Sequence, residues 1–184
     1  FMRIRSYFTR ISHENGGIML VRSIRRSDLP HIAAVQTESW RDSYADAFPD
    51  AYLANQLAED LERHWHEMHI QLDDIILVAE ENGIIGFIAV WCRPEPYIDN
   101  LHVKPSHRSK GIGSKLMTSA ARQMIQQGHQ TAYLWVVESN EKAIRLYERL
   151  GGVLTEQALK NLFGHQVPSV KIVWSDISTL CSIG

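Results

Sequence analysis

The stretch from residue 97 to residue 137 constrains the fold of this chain more than any other part of the sequence. The runs YIDNLHV (97–103) and TAYLWVV (131–137) each predict a strand. Between them lie a glycine-containing loop and an amphipathic segment that predicts a helix from about Ser114 to Gln127, which Gly128 ends. Because a helix connects the two strands, they are expected to lie parallel in one sheet.

The remaining sequence predicts further strands and helices around this unit. A period-two pattern opens a strand at Met19, and two apolar runs flank Asn82-Gly83, which predicts a hairpin with a tight turn. Helices are expected near 29–43, from 50 to about 69 and over 141–150, and a last pair of strands over 153–160 and 167–174. The order βααβββαβαββ predicts an α/β (mixed α+β) fold, with a central mixed sheet of about seven strands flanked by about four helices.

Composition and charge narrow the class of protein. The chain has 184 residues, of which 45% are hydrophobic and 22% are charged, as in a soluble globular domain. Its formal net charge of −2 gives no basic field toward nucleic acid or an anionic membrane, and no apolar run is long enough to span a bilayer. Cys92 and Cys181 have no CxxC spacing, so we expect free thiols and a cytoplasmic location.

One domain is expected over residues 19–178. The first 18 residues begin FMRIRSYFTRISH, a run with three arginines and no acidic residue. We expect an N-terminal extension here that is flexible or derived from cloning, and an organelle transit peptide is the alternative. Residues 179–184 are expected to form a C-terminal tail.

The loop HRSKGIGSK (107–115) has the composition of a phosphate-binding loop. Its glycines let an anion approach the backbone, the following helix offers free N–H groups, and Arg108, Lys110 and Lys115 add positive charge. A nucleoside-triphosphate loop would need a glycine five residues before Gly113 and a lysine directly after it, and the sequence has neither. A dinucleotide fingerprint would need a third glycine where Leu116 stands. A pyrophosphate site remains, beside a plain strand-to-helix turn without a ligand.

Three segments together carry a known pattern. RSKGIG (108–113) matches the loop [R/Q]-x-x-G-x-[G/A], and YIDNLHVKPSHR (97–108) provides the strand that runs into it. VVESNEKAIRLYERLGG (136–152) has an Asn, an Ala three residues later and an LYxxxG ending. In this order and spacing the segments resemble the GCN5-related N-acetyltransferase (GNAT) superfamily, and the resemblance covers about residues 19–176.

The resemblance implies a coenzyme A site with acetyl-CoA as the cofactor. It implies that backbone amides of the loop bind the pyrophosphate, and these loop residues are Arg108, Ser109, Lys110, Gly111, Ile112, Gly113 and Ser114. It also implies that strands 97–103 and 131–137 splay apart, so that the backbone of Leu101, His102 and Val103 binds the pantetheine arm. Asn140 would contact the cofactor near the same gap or serve as a plain helix cap, and the two roles are compatible.

Acetyl transfer from a thioester to an amine has three chemical needs. The amine must lose its proton, the carbonyl oxygen needs a donor such as a backbone N–H of 97–103, and the departing thiolate needs a proton. Tyr147 matches the general acid of the family, and a buried packing aromatic is the alternative. Asp99 is the candidate base or anchor for a cationic substrate, with Glu95 in reserve; a solvated strand residue is the alternative. By strand alternation, Tyr97, Asp99 and Leu101 should share one face.

Acceptor recognition in the family usually draws on the first two helices. Trp40, Tyr44 and Phe48 recur at four-residue spacing, so they either line an acceptor pocket or pack the helix on the sheet. The predicted substrate residues are Trp40, Tyr44 and Tyr97.

The segment HWHEMH (64–69) is the one stretch that suggests a metal. It is H-E-x-H, one residue short of the zinc motif H-E-x-x-H. His66 and His69 lie one helical turn apart, but the sequence offers no third ligand, so no metal site is expected.

These features predict an N-acetyltransferase that moves the acetyl group of acetyl-CoA to a primary amine of a small molecule or protein. A non-catalytic acyl-CoA-binding regulatory module and an acyltransferase that uses another acyl-CoA are the alternatives. Tyr147 favours an enzyme, because a pure binder needs no hydroxyl directed at sulfur. The expected partner is an amine acceptor of unknown identity, with no nucleic acid and no membrane. Members of the family often dimerise, so a homodimer is one oligomeric state that the resemblance allows.

Overall fold

The computed structural model describes residues 8–12 and 18–181. Its strands are β1 (Phe8–Ser12), β2 (Ile18–Ser23), β3 (Ile75–Glu80), β4 (Ile84–Cys92), β5 (Pro96–Val103), β6 (Ala132–Val137), β7 (Val153–Leu162) and β8 (His165–Trp174). Within the described ranges they form one mixed sheet in the order β1-β2-β3-β4-β5-β6-β8-β7. The neighbours β5 and β6 are parallel, as predicted, and the other neighbours are antiparallel. The predicted α/β fold class with a central mixed sheet is confirmed.

The helices cover both faces of this sheet. They are α1 (Leu29–Ser43), α2 (Asp50–Asn55), α3 (Leu57–Glu67), α4 (Ile112–Gln126) and α5 (Glu141–Arg149). α4 and α5 lie on one face, where Leu116, Met117 and Tyr147 belong to one buried cluster. α1 and α3 lie on the other face, where Ile32 and Trp65 belong to a second cluster. Each amphipathic helix therefore buries the apolar stripe that its sequence predicted.

The hairpin turn at Asn82-Gly83 is also confirmed. Asn82 has a φ of 52° and Gly83 a φ of 127°. Both values lie in the left-handed half of backbone space, which Asn and Gly enter at lower cost than other residues. The turn therefore joins β3 to β4 directly.

The single helix predicted from 50 to about 69 is divided at Gln56, whose φ is −116°. In a continuous helix the carbonyls of Leu53 and Ala54 would accept from amides four residues later. Here Arg41 of α1 donates to both, at 2.8 Å to Leu53 and 3.1 Å to Ala54. Asn55 Nδ2 donates to the Ala51 carbonyl at 3.0 Å. Side-chain donors thus replace the backbone donors, and α2 ends.

The fold reaches beyond the expected domain limits at both ends. The extension expected over 1–18 contains β1, which adds an antiparallel edge strand next to β2. Positions 1–7 and 13–17 of that segment lie outside the described residues. The tail expected over 179–184 begins within a 3-10 turn at Ile177–Cys181. There Leu180 is buried, and its carbonyl accepts from Thr118 Oγ1 at 2.7 Å. No helix in the described ranges has the length and apolar character needed to cross a membrane.

Candidate active site

The sheet opens between β5 and β6. Across the described residues, the ladder between these parallel strands is limited to the pair Tyr97 and Tyr133 near their amino ends. Beyond this pair the strands diverge, as the resemblance implied, and a cleft of about 590 Å³ lies there, named the large cleft below. Its strand walls are formed by Ile98, Asp99, Leu101, His102, Val103, Leu134, Trp135 and Val136. Backbone N–H and C=O groups of both strands consequently lack a neighbouring strand along the cleft.

The loop before α4 leaves the first amides of the helix free. Gly111 is the N-cap residue and has a φ of 76°, a left-handed conformation that favours glycine. The first intrahelical bond runs from Lys115 N to Gly111 O at 3.0 Å, so Ile112, Gly113 and Ser114 have no intrahelical acceptor for their amides. These residues line the large cleft, at the positive end of the helix dipole. α4 begins slightly before the predicted Ser114, and its amino end has the form of an anion site.

Arg108 ties this loop to α1. Its guanidinium pairs with Asp42 and donates to Ser39 Oγ at 3.1 Å and to Val103 O at 3.2 Å. The charge of Arg108 is therefore shared with a carboxylate, and Lys110 is exposed and outside the cleft wall. Other basic residues line the cleft from α5, and sequence reasoning did not single them out: Lys142, Arg145 and Arg149. Exposed helix cations carry no sequence signal that separates them from an ordinary solvated face.

Asn140 and Tyr147 both line the large cleft. Asn140 caps α5, because its Oδ1 accepts from Ala143 N at 3.2 Å. Burial raises the pKa of Tyr44, and a hydrogen bond from the Asn140 side chain opposes this rise, so the NH₂ group is directed at the Tyr44 hydroxyl. Tyr147 is buried, and its ring packs edge-on against Trp174 with the centroids 6.0 Å apart. Burial, and to a lesser degree the nearby Tyr44, raise the pKa of Tyr147 well above the ordinary value for tyrosine. The hydroxyl therefore stays protonated at neutral pH.

A second cavity of about 300 Å³, named the small cavity below, lies between α1, β5, β6 and the β7–β8 hairpin. Its walls include five aromatic side chains: Trp40, Tyr44, Tyr97, Trp135 and Phe163. Residues that line both the small cavity and the large cleft are Tyr44, Asp99, His102 and Trp135. The two spaces therefore meet at these four residues, and all three predicted substrate residues border the small cavity.

Asp99 lies on a β-bulge at this junction. On β4, Ala89 pairs with Asn100 and the next residue, Val90, pairs with Ile98, so Asp99 has no partner across the ladder. A bulge inserts one residue and redirects the side chains around it. This insertion is what lets Asp99 border both spaces.

The bulge makes one sequence prediction wrong. Tyr97, Asp99 and Leu101 were expected to share a face, but Tyr97 stacks on Tyr133 at a centroid distance of 5.0 Å and borders the small cavity. Leu101 instead borders the large cleft and packs against the cluster that contains α4. The extra residue reverses the alternation between positions 97 and 101, because side chains change face with every residue of a strand.

A chain of hydrogen bonds runs from the core to Asp99. Trp65 Nε1 donates to Gln36 Oε1 at 2.7 Å, and Gln36 Nε2 donates to Asn100 Oδ1 at 2.9 Å. Asn100 Nδ2 then donates to Asp99 Oδ2 at 2.8 Å. An indole nitrogen only donates, so it fixes the orientation of Gln36, and Gln36 fixes the orientation of Asn100. The chain therefore presents an N–H group to the carboxylate.

His102 contributes a neutral imidazole to the junction. Burial, and secondly the charge of Arg108, lower the pKa of His102 to about 3. Ser39 Oγ accepts from Arg108 and lies 3.1 Å from His102 Nδ1. Because Arg108 only donates, the Ser39 proton is available for Nδ1, which places the ring proton on Nε2. A ring this weakly basic is unsuited to accept a proton from an ammonium group.

The remaining candidates lie away from the junction. Glu95 is exposed and borders neither space. Phe48 is buried and packs on Trp40 with ring centroids 5.2 Å apart. His66 and His69 are exposed, and α3 ends at Glu67 between them. In the part of the chain that the structure describes, no group of three His, Cys, Asp or Glu residues is placed to hold a metal ion.

Comparison with known proteins supports what this geometry suggests. The model of the acetyltransferase (GNAT) family matches residues 37–152. The chain is 24% identical over 170 residues to the uncharacterized N-acetyltransferase YuaI of Bacillus subtilis, covering 89% of this chain and 96% of that protein. It is 28% identical over 174 residues to the peptidyl-lysine N-acetyltransferase YiaC of Escherichia coli, covering 88% and 100%.

A solved structure shares the fold. The PaiA N-acetyltransferase of Thermoplasma acidophilum, determined in complex with coenzyme A, superposes with a TM-score of 0.64 at 22% identity, covering 83% of this chain and 97% of that one. The sequence prediction of an acetyl-CoA-dependent acyltransferase is confirmed by the family match. Since that match extends over more than half of the sequence, the chain belongs to the acetyltransferase (GNAT) family.

Proposed function

We propose that the protein transfers the acetyl group of acetyl-CoA to a primary amine where the large cleft and the small cavity meet. The observation that carries this proposal is the set of residues common to both spaces, Tyr44, Asp99, His102 and Trp135. A thioester in the large cleft and an amine in the small cavity would meet beside the carboxylate of Asp99.

The large cleft has the features that coenzyme A needs. Three free amides at the start of α4, on Ile112, Gly113 and Ser114, suit the pyrophosphate. The unpaired edge of β5 suits the pantetheine arm, whose amides can bind like an added strand along 101–103. Acetyl-CoA supplies the activated acyl group, and every other chemical task falls to side chains and backbone of this chain.

Asp99 is proposed to hold the amine and to take its proton. An ordinary lysine-like amine has a pKa near about 10.4, so at neutral pH it arrives as ammonium and must lose a proton before it can attack. The carboxylate, held by Asn100 and by the Tyr97 hydroxyl, would offer its remaining lone pairs to the ammonium, directly or through one water. A free backbone N–H of β5 would donate to the carbonyl oxygen as negative charge develops there.

Tyr147 is proposed to donate a proton to the departing sulfur. The new C–N bond forms as the C–S bond breaks, and the sulfur takes the tyrosine proton while the amine nitrogen returns one to the hydroxyl. The ammonium thus releases two protons, of which one ends on the thiol and one reaches solvent. Burial of Tyr147 disfavours a free tyrosinate, which is consistent with a proton that is replaced as it leaves.

Binding and turnover together test this function. Acetyl-CoA should raise the melting temperature, by an amount corresponding to about 2.7 kcal/mol at one hundred times its Kd. Release of free thiol should then depend on an added primary amine. Binding without thiol release from any amine would favour the non-catalytic acyl-CoA-binding module, and release with another acyl-CoA but not with acetyl-CoA would favour a different acyl donor. If acetyl-CoA neither raises the melting temperature nor releases free thiol with any amine, the proposal is overturned.

Two further properties stay proposals. A cytoplasmic location is inferred from the free thiols of Cys92 and Cys181 and is tested by cell fractionation. A homodimer is inferred from the family and is tested by light scattering at several protein concentrations.

A further inference from the structure

The small cavity contains a buried hydrogen-bond donor that no group of the described residues satisfies. Trp40 is 5% exposed and lines this cavity, and its Nε1 has no acceptor among those residues. The other deeply buried indoles do have one: Trp65 donates to Gln36, and Trp174 donates to Leu150 O at 3.0 Å. A buried N–H group without a partner loses the free energy of its hydrogen bond to water. A ligand oxygen that shifts the indole enough to reach Nε1, which is closed to solvent in the free protein, would restore that hydrogen bond.

Lys160 adds a positive charge to the same cavity. Its Nζ lies 4.5 Å from the centroid of the Trp135 ring, and the side chain is half-buried. In the described part of the chain Lys160 has no salt bridge, whereas Lys171 on the neighbouring strand approaches Glu156 at 4.0 Å. Among the described residues, the small cavity thus combines an ammonium that forms no salt bridge with an N–H donor that has no acceptor.

The small cavity is lined by one acidic side chain and one lysine, Asp99 and Lys160. Asp99, its acidic lining residue, stands where the cavity meets the large cleft. Trp40 and Lys160 border the small cavity and not the large cleft, and each packs on a residue of the junction, Trp40 on Tyr44 and Lys160 on Trp135. A ligand that matches these charges has a positive group beside Asp99 and a negative group with oxygen acceptors beside Lys160.

We propose that the acceptor is a small amino acid, a molecule with a carboxylate besides its primary amine, and that Lys160 and Trp40 bind this carboxylate. The inference rests on the proposed acetyl transfer, because it assigns the amine to the Asp99 end. The cavity of about 300 Å³ has the size of a small-molecule pocket. A polyamine would instead bring a second ammonium toward Lys160 and would leave the Trp40 donor unpaired.

Matched pairs of amines test the inference. Lysine and cadaverine differ by one carboxylate, and so do ornithine and putrescine. We expect kcat/KM to be about 10-fold or more higher for the amino acid of each pair, because hydrogen bonds to a charged group are worth about 1.5–3 kcal/mol. Equal or higher kcat/KM for the diamines would overturn the inference while acetyl transfer stands.

Variants then assign the effect to the two residues. Lys160→Gln should raise KM for the amino acid about 10-fold and leave KM for the diamine unchanged or lower. Trp40→Phe should raise KM for the amino acid about fivefold while retaining aromatic packing. The matched control is Lys171→Gln, since Lys171 also lies over an aromatic ring, 4.7 Å from the centroid of Tyr133, but does not line the cavity.

The possible failures are distinguishable. Equal effects of Lys160→Gln and Lys171→Gln would overturn the assignment of the carboxylate site. If acetyl-CoA stabilises the protein but no amino acid of the panel is acetylated, the acceptor inference is overturned and the cofactor site stands. If acetyl-CoA does not stabilise the protein at all, the proposed function fails, and the inference fails with it.

Discussion

The side-chain amide of Asn100 donates to Asp99 Oδ2 at 2.8 Å and cannot present its oxygen instead. Gln36 already donates to Asn100 Oδ1, and Trp65 already donates to Gln36. Rotating one side-chain amide by half a turn would therefore place a donor against a donor or an acceptor against an acceptor. The anionic form of Asp99 is consequently held in place by a donor whose orientation is set in the core. The Tyr97 hydroxyl also hydrogen-bonds this carboxylate, so the acceptor amine would use the lone pairs that Asn100 and Tyr97 leave on its oxygens.

Replacing Asn100 tests this arrangement. Asn100→Asp keeps the shape and still accepts from Gln36, but it places a second carboxylate against Asp99, and two carboxylates that close cannot both ionise easily. We expect kcat/KM for the amine to fall about 10–100-fold, with the acid limb of the pH–rate profile moved to higher pH, and Kd for acetyl-CoA to stay unchanged. Asn82→Asp, in the exposed β3–β4 turn, adds the same charge as a control. An unchanged pH profile in Asn100→Asp would contradict the role of Asn100.

Tyr147→Phe removes only the hydroxyl from the wall of the large cleft. The ring still packs against Trp174, so stability should change little. We expect kcat to fall about 10²-fold or more, with the affinity for coenzyme A retained. Because the pKa of Tyr147 is raised, the wild-type enzyme should show no loss of kcat from ionisation of this group up to about pH 10. Steady-state rates from pH 6 to 10 check both points, and equal kcat in the two proteins at every pH would remove Tyr147 from the mechanism.

His102 should make the protein sensitive to acid. Its pKa falls from 6.5 to about 3 in the folded state, so below pH 6.5 the unfolded chain binds a proton that the folded chain does not. Stability is therefore complete above pH 6.5 and is lost as pH falls toward 3, by about 2 kcal/mol at pH 5. Urea unfolding at pH 7 and pH 5 measures this loss, which should shrink in His102→Gln and persist in the control His69→Gln. The same loss in His102→Gln would mean that other groups cause it.

The two glycines of the cofactor loop should differ in their tolerance of alanine. Gly111 has a φ of 76°, so Gly111→Ala is strained by about 1 kcal/mol and should shift the free amides of α4. At Gly113 a Cβ would meet Leu146 at 3.6 Å and Leu101 at 3.9 Å, which are ordinary contacts. Calorimetric titration should give a Kd for coenzyme A that is about 5–10-fold weaker in Gly111→Ala and nearly unchanged in Gly113→Ala. If Gly113→Ala weakened coenzyme A binding more than Gly111→Ala, binding at the start of α4 would depend on space beside the helix rather than on the backbone conformation of Gly111.

The fold could be predicted because its signals are local in the sequence. Asn82-Gly83, the apolar period of α4 and the Asn140 cap each specify an element within a few residues. The division at Gln56 could not be predicted, because Arg41 causes it from another helix and no breaker residue stands at the site. The bulge at Asp99 is similar, since only the register against β4 reveals the extra residue.

The sequence indicated the strand and the loop of the candidate site and three residues that border the small cavity, Trp40, Tyr44 and Tyr97, but not the cavity as a whole. Its walls come from α1, α3, β5, β6 and the β7–β8 hairpin, so residues such as Trp40, Tyr97 and Lys160 lie far apart in the sequence. Lys160 looks like any strand lysine until the fold places it over Trp135. Properties that arise when distant segments meet have no pattern within one segment.

In the described residues, Tyr97 and Tyr133 form the single paired position between β5 and β6, which affects local unfolding of the domain. The sheet therefore has a seam between two blocks, β1 to β5 and β6 to β8, which share few cross-strand hydrogen bonds. The apolar cluster beneath α4 holds residues of both blocks together, so the seam should open locally. Without coenzyme A, amides beside the seam should exchange with deuterium faster than those between β4 and β5. A bound pantetheine arm would add the missing rungs, so exchange beside the seam would slow.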